Sequence, residues 1–308
     1  MKILITGGSG TIGKAFVEEF TEHQYFNISR NEKFLTDLMR EHPNVKSFIG
    51  NIEDEGFLFR VFKDVKPDVV IHAAAMKHIN IAEENPIQAC QSNVIGSINV
   101  INASIMANVP ITVGISTDKA CSSESVYGDT KSLMEKCFME ANTDTNKFAL
   151  CRFANVAHSN GSVLPFWLKC KKENEPIKIT DPDMNRLMFS KSDSAKLINK
   201  VINKCKSDGG GFVGSYKMKS VNMMEVAKTI AYEGFISEVE VVGKRPGEKV
   251  NEDLISKSET PYTYIEGDMI YIYNKKNKGT NKLTKGYSSA SAEKMTETEI
   301  KDLIWDTK

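Results

Sequence analysis

The stretch Gly7-Gly8-Ser9-Gly10-Thr11-Ile12-Gly13 lies between an apolar, β-branched run (Lys2–Thr6) and a helical pattern near Ile12–Thr21. No other feature constrains the chain as tightly, because this context defines a strand–turn–helix unit. Gly7 permits the tight turn, Gly10 lets the backbone approach a pyrophosphate, and Gly13 allows close helix–strand packing. Phosphates would then meet the free amides and the positive dipole at the helix N-terminus. Ser9, Thr11 and Ile12 complete that loop. The spacing is Gly-x-x-Gly-x-x-Gly, one step removed from the Gly-x-Gly-x-x-Gly of the simplest dinucleotide sites.

The rest of the first half repeats the same alternation. Candidate strands are Lys2–Thr6, Tyr25–Ser29, Val45–Gly50, Asp68–His72, Ile111–Ser116 and Phe148–Phe153. Helical patterns fall near Asn31–Glu41, Glu55–Phe62, Pro86–Ala107 and Val126–Ala141. Strands separated by helices at this interval imply βαβ units and a parallel sheet covered on both faces. With right-handed crossovers the expected class is α/β: a Rossmann-type doubly wound parallel sheet with ligands at the strand C-termini. From Leu164 the texture changes to shorter elements. These include helices near Ser192–Cys205 and Met223–Glu233, and a hairpin, Tyr262–Ile265 with Met269–Tyr273. Residues Asn274 to Lys285 read as a solvated loop, and Thr296-x-x-Glu299 as a capping box opening a last helix. The expected division is 1–163 for the dinucleotide-binding domain and 164–308 for a smaller α+β substrate-binding part, one segment of which returns to the sheet.

Composition excludes several function classes. Forty basic residues balance forty acidic ones, so no global field draws the chain to nucleic acid or an anionic membrane. No signal-peptide pattern and no bilayer-length apolar stretch is present in the sequence, and the six scattered cysteines form no Cys-x-x-Cys pair. A cytoplasmic protein with reduced thiols is expected. The five histidines offer no ligand pair at helical spacing, so no metal site is expected.

The end of the second strand bears on the cofactor. NAD sites place an acidic residue there for the ribose 2′-hydroxyl. Here stands Ser29-Arg30-Asn31-Glu32-Lys33. Ser29 can donate to a 2′-phosphate, and Arg30 and Lys33 can neutralise it, so the expected cofactor is NADP. Further along, Tyr127 and Lys131 are four apart on one helical face. A phenol titrates near ~10, and a neighbouring ammonium would favour the phenolate needed for a base. Ser116-Thr117-Asp118-Lys119 follows the fifth strand, at the cleft-facing end of the sheet.

Gly7–Gly13, Tyr127/Lys131 and the His72-Ala73-Ala74 turn together resemble the extended short-chain dehydrogenase/reductase superfamily. Longer matches narrow this. They are His72 to His78, Ser116 to Ala120, Asn155-Val156 with Gly161 to Pro165, Ile179 to Pro182 with Met184 and Arg186, and Arg245 to Lys249. These resemble the inverting UDP-N-acetylglucosamine 4,6-dehydratases, over about residues 2 to 256, with a weaker echo near Gly286–Ser289. The resemblance implies oxidation of the hexose at carbon 4, elimination of water across carbons 5 and 6, and hydride return to carbon 6 with inversion at carbon 5. Tyr127 would take the hydroxyl proton, Lys119 would be the carbon-5 acid/base, and Asp118 the proton donor to the leaving water. A lysine serves as base only if its pKa falls, and a desolvated cleft with Lys131 nearby pushes in that direction. Retaining sugar-nucleotide dehydratases usually carry Thr-Asp-Glu where this chain carries Thr117-Asp118-Lys119.

By the same resemblance Asn51 and Ile52 flank the adenine, Ala73 gives a backbone contact, and Ser116, Asn155, Val156 and Ser159 line the cofactor. Lys77, Thr117, Asn155, Val163, Thr180 and Arg186 contact the sugar nucleotide, and Arg245 and Glu248 pair with its diphosphate and ribose. The substrate would be UDP-N-acetylglucosamine and the assembly a homo-oligomer, dimer or hexamer. Departures from the family pattern are Phe153-Ala154 for Tyr-Gly, Asn160 for an arginine, and Asn51 for the commoner aspartate. Three competing readings remain. A UDP-N-acetylhexosamine 4-epimerase needs Tyr127 and Lys131 but no carbon-5 base, so Asp118-Lys119 argues against it. A multifunctional dehydratase/3,5-epimerase is suggested by Asp183–Met188, but its subgroup replaces Tyr127 with methionine. An NADP-sensing scaffold typically loses the Tyr/Lys pair.

Overall fold

The computed structural model describes residues 1–232, 238–245, 247–274 and 282–305. In chain order the elements begin β1 (Lys2–Thr6), α1 (Thr11–Glu19), β2 (Gln24–Ser29), α2 (Glu32–Glu41), β3 (Val45–Ile49), α3 (Glu55–Val65) and β4 (Val69–His72). Next come α4 (Ile79–Glu84), α5 (Pro86–Cys90), a π turn (Gln91–Ile95), α6 (Gly96–Met106), β5 (Ile111–Thr117), α7 (Val126–Ala141) and β6 (Lys147–Phe153). Then follow β7 (Asn155–Val156), α8 (Val163–Lys172), β8 (Ile177–Ile179), β9 (Asn185–Phe189), α9 (Lys191–Asp208), β10 (Phe212–Tyr216) and β11 (Ser220–Asn222). The last are α10 (Met223–Tyr232), β12 (Val239–Val241), β13 (Asp253–Ile255), β14 (Thr263–Glu266), β15 (Met269–Tyr273), β16 (Tyr287–Ser288) and α11 (Glu297–Trp305).

Among the described residues the main sheet runs β14-β15-β10-β6-β5-β4-β1-β2-β3. Every pairing from β3 to β10 is parallel, and β15 and β14 close the edge antiparallel. The expected doubly wound sheet is therefore present, with strand order reversing at β1 between β2 and β4. Ligands of such sheets bind outside the strand C-termini at that reversal.

Side-chain alternation builds the two faces. Ile3 and Ile5 point into one apolar layer with Phe16, Val113, Phe138 and Leu197, while Leu4 points into the other with Phe26, Leu58, Phe62 and Val100. All seven residues of β5 are buried, as a central parallel strand covered on both faces requires. Burying each large apolar side chain stabilises the fold by roughly 1.5–3 kcal/mol. A third apolar cluster gathers Leu164, Trp167, Ile179, Val226, Ile230 and Ile304 from the second half of the chain.

Helix starts follow local chemistry. Asn31, Asp54 and Ser125 accept from Phe34, Phe57 and Gly128 backbone N–H groups, and Ser190 and Asp193 form a capping box at α9. The expected box before α11 is present too: Thr296 N–H donates to Glu299 (2.8 Å) and Glu299 N–H to Thr296 Oγ1 (3.3 Å). The hairpin's first strand lies one residue later than expected, at Thr263–Glu266, and its second, Met269–Tyr273, where expected.

More of the second half returns to the sheet than the single segment expected. α9 packs on α1, β10 extends the parallel run beside β6, and β15 pairs with β10. β10 follows Gly209-Gly210-Gly211 and contains Gly214, a composition that reads as loop; pairing with β6 and β15 overrides it. Glu233 of the expected helix, Pro246, and residues 275–281 of the expected loop lie outside the described residues.

Candidate active site

The C-terminal ends of β1, β2, β4, β5 and β6 open into a cleft of about 960 Å³, walled on the other side by α8 and the segments around Thr180 and Arg245. Nearly every residue singled out in the sequence lines it: Gly7, Ser9, Gly10, Thr11, Ile12, Ser29, Arg30, Asn51, Ile52, Ala73, Lys77, Ser116, Thr117, Lys119, Tyr127, Lys131, Asn155, Val156, Ser159, Val163, Thr180, Arg186, Arg245 and Glu248. Three do not. Lys33 is exposed on α2, Gly13 packs against Gly8 beneath the loop, and Asp118 is fully buried behind Lys119.

The glycine loop fits a dinucleotide phosphate. Gly7 sits at φ +71°, and a Cβ there would come 2.8 Å from the Ala74 backbone, whereas one on Gly13 would meet Gly8 Cα at 2.3 Å. Side chains at either position would push the turn off the sheet. Gly10 precedes α1 as a cap without a side chain, and the first turn holds no acidic residue, so the helix N-terminus keeps its positive character. Ser9 donates to Ser29 (2.8 Å), leaving the Ser29 hydroxyl proton for a ligand, and Arg30 stands exposed beside it. Under the loop, His72 is clamped between Thr6 (2.7 Å) and Ser97 (2.9 Å), and burial, aided by Lys131, pushes its pKa down to about 3.

A strap crosses this end of the cleft. Asn160 N–H donates to Thr11 Oγ1 (3.0 Å), and the Lys77 amine donates to Asn160 O (2.5 Å). Burial lowers the Lys77 amine below its ordinary range.

At the other end, charges are held against one another. Lys119 donates to Asp118 Oδ1 (3.1 Å), which also accepts from Thr117 (2.9 Å); Asp118 Oδ2 is buried without a hydrogen-bond partner among the described residues. Burial alone would lower the Lys119 amine, but Asp118 and Glu252 outweigh it and hold the amine above its ordinary range. That reverses the lowering expected from a desolvated cleft, because the sequence showed the burial and the cation but not the second carboxylate.

Tyr127 is pushed up to about 12 by burial, against the opposing pull of Lys119 and a hydrogen bond with Thr117. Here too the expectation needs correction: Lys119 is the cation acting on the phenol. The Lys131 amine is spent on Ile115 O (2.7 Å) and Met134 Sδ (3.2 Å), and burial lowers it to about 8, Glu135 opposing.

The substrate side is set by backbone turns. Arg186 spends donors on Asn185 O (2.9 Å), Val250 O (3.1 Å) and Lys249 O (2.9 Å). Arg245 N–H donates to Glu248 (3.1 Å), closing a turn in which Gly247 takes φ +78°. Asn155 donates to Leu187 O (3.2 Å), Thr180 faces Met184, and the Ser116 hydroxyl turns to Glu135 (2.6 Å), leaving its backbone to the cleft. Sequence reasoning missed Glu252, Phe34, Phe166 and Trp167, all of which line the cleft. Phe34 and Phe166 are exposed apolar residues on α2 and α8, a signal that periodicity offers; Glu252 carries none.

Counting charged side chains along the wall, Arg30, Lys77, Lys119, Lys131, Lys178, Arg186 and Arg245 oppose only Glu248 and Glu252. A neutral chain thus concentrates cations in one cleft, which focuses field on anionic ligands. No group of three or more metal-ligating side chains occurs among the described residues, and no helix among them is long and apolar enough to cross a membrane.

The doubly wound sheet, the glycine loop and the Tyr127/Lys131 pair define an extended short-chain dehydrogenase/reductase. Within that class the chain belongs to the polysaccharide biosynthesis protein family, whose model matches residues 3–274. It is 35% identical to a UDP-N-acetylglucosamine 4,6-dehydratase (inverting) of Campylobacter jejuni, over 85% of this chain and 79% of that protein. A protein of Methanocaldococcus jannaschii described as an uncharacterized membrane protein is likewise 35% identical, over 98% of this chain and 94% of its own length. A UDP-glucose 4-epimerase of Rickettsia bellii is 30% identical, over 83% and 78%. The solved structure of Pen from Bacillus thuringiensis superimposes with a TM-score of 0.91 at 29% identity, covering 99% of this chain and 97% of that one.

Proposed function

We propose that the chain is an NADP-dependent UDP-N-acetylglucosamine 4,6-dehydratase that inverts carbon 5. One observation carries this reading: Lys119, backed by Asp118, lines the same cleft wall as Tyr127 at the end of β5. An enzyme that only oxidises and reduces carbon 4 needs Tyr127 and Lys131. A second acid/base at this place has work only if a carbon–hydrogen bond next to the new carbonyl is broken.

Gly7–Gly13 would hold the pyrophosphate, Asn51 and Ile52 the adenine side, and Ser29 with Arg30 the 2′-phosphate. When bound, the cofactor supplies the acceptor for the carbon-4 hydride and its return to carbon 6. Tyr127 takes the proton of the carbon-4 hydroxyl; Asp118 and Glu252 keep Lys119 protonated at rest, so the carbon-5 proton goes to its small neutral fraction. Water then leaves carbon 6 with the proton that the Asp118–Lys119 pair took from carbon 5; carbon 5 is reprotonated on its opposite face, which inverts it, and the proton that Tyr127 took at carbon 4 makes up the balance. Arg245 and the cationic wall suit a diphosphate, and Glu248 suits the ribose diol.

Purified protein incubated with UDP-N-acetylglucosamine should yield a product lighter by one water, and in deuterated water the label should appear at carbon 5. An unchanged mass with a new isomer would instead establish the 4-epimerase reading that the Rickettsia relative favours. Additional label at carbon 3 would identify a multifunctional dehydratase/3,5-epimerase, and a protein that binds NADP without turnover would be a sensor.

A further inference from the structure

Glu252 has no part in the scheme above, yet its carboxylate lines the cleft and is almost wholly buried. Its backbone is fixed on both sides by Ser289: Glu252 N–H donates to Ser289 Oγ (3.0 Å) and Ser289 N–H to Glu252 O (2.9 Å). Oε1 stands 3.8 Å from Lys119 Nζ and 3.9 Å from Arg186 Nη2. Both separations exceed a direct hydrogen bond, so the carboxylate acts through its charge. Lys119 thus lies between Asp118 on its own strand end and Glu252 from the segment before β13.

We propose that Glu252 is a positioning residue for Lys119: it holds the amine at the cleft wall and sets the pH at which ammonium becomes base. The role in turnover rests on the dehydratase reading; the placement does not. The charged and titratable groups that face Lys119 are Asp118, Tyr127, Arg186 and Glu252, and those that face Glu252 are Asp118, Lys119, Arg186 and Lys249. Lys249 is anchored on Ser122 O (2.5 Å) and Glu124 (3.1 Å). Burial raises the Glu252 carboxyl and the three cations oppose this, while Glu252 in turn keeps the Lys119 proton in place. Arg186 acts in the opposite sense on Lys119 and competes for the same Glu252 oxygen.

The test compares acetylation rates of lysine amines in the full-length protein at one pH below their titration, read by peptide mass spectrometry with exposed Lys33 as internal reference. Only neutral amine reacts. Losing an opposite charge at this range lowers an amine's pKa by about one unit, so Glu252→Gln should speed Lys119 labelling about tenfold relative to Lys33. Glu252→Asp, which keeps the charge, should stay close to the parent. Arg186→Gln should slow it several-fold, and decides the matter if the first variant does not fold. A Lys119 rate unchanged or slower in Glu252→Gln, or unchanged or faster in Arg186→Gln, overturns the proposal. In turnover, the acid limb of kcat against pH should move to lower pH in Glu252→Gln with KM little altered; a uniform loss across pH would overturn the role in catalysis. If UDP-N-acetylglucosamine loses no water with the parent protein, the dehydratase reading fails while the labelling result still judges Glu252.

Discussion

The two ends of the cleft are built on opposite plans. At the dinucleotide end, seven consecutive residues form the loop, and its donors are backbone amides that need only the absence of Cβ atoms. At the reacting end, the turn after β5, α7, β9 and the segment before β13 each bring charged side chains, and these charges are defined by their neighbours. One end is specified by shape and the other by electrostatic balance. Substitutions should therefore fail differently at each.

The largest expected effect falls on the balanced end. Lys119→Ala should reduce water loss by about a thousandfold or more while NADP binding stays within about twofold, since a general acid/base contributes up to roughly 10⁴. Near-normal turnover in that variant, followed by product mass, would erase the distinction between the two ends. On the shaped end, Gly7→Ala should abolish measurable NADP binding by calorimetry and cost about 1–3 kcal/mol of stability, from positive φ and the clash with Ala74.

Arg30→Ala should cut the preference for NADP over NAD about ten- to a hundredfold, the worth of one charge-assisted hydrogen bond. Acid should then weaken the platform under the glycine loop. Unfolded His72 takes a proton as pH drops through 6.5, while the folded chain resists to about 3. Its contribution is complete above 6.5 and is lost as pH falls between those values. Urea unfolding should show about 2 kcal/mol less stability at pH 5 than at pH 7 from this group, a slope that His72→Gln flattens. The smallest effect belongs to Lys33→Ala: it lies off the cleft, and NADP affinity should change less than about twofold.

The same contrast explains what was legible in the residues. The alternation of β-branched runs and helices located β1 to β6, and the glycine loop located their ligand, because both signals are local in the chain. β10 escaped notice because its glycines say loop and only its neighbours say strand. Glu252 escaped because its meaning depends on Lys119, far away in sequence, and the direction of the Lys119 shift was misjudged for the same reason. The sequence motif placed Lys131 beside Tyr127, but the fold turns its amine to Ile115 O and leaves the phenol to Lys119.

Arg152, buried on β6, uses all five of its N–H groups. Nε and Nη2 reach Glu135 on α7 (3.0 and 2.6 Å), Nη1 and Nη2 reach Glu259 (3.1 and 2.8 Å), and Nη1 also donates to Leu254 O on β13 (2.8 Å). The helix carrying Tyr127 and the strand following Glu252 are therefore riveted to one guanidinium, and unfastening either would strand a charge in the interior at a cost of about 3–5 kcal/mol. That corner of the molecule is thus tied from three elements at once, whereas the strap at the far rim is fastened through one asparagine backbone, Asn160 N–H to Thr11 and Lys77 to Asn160 O.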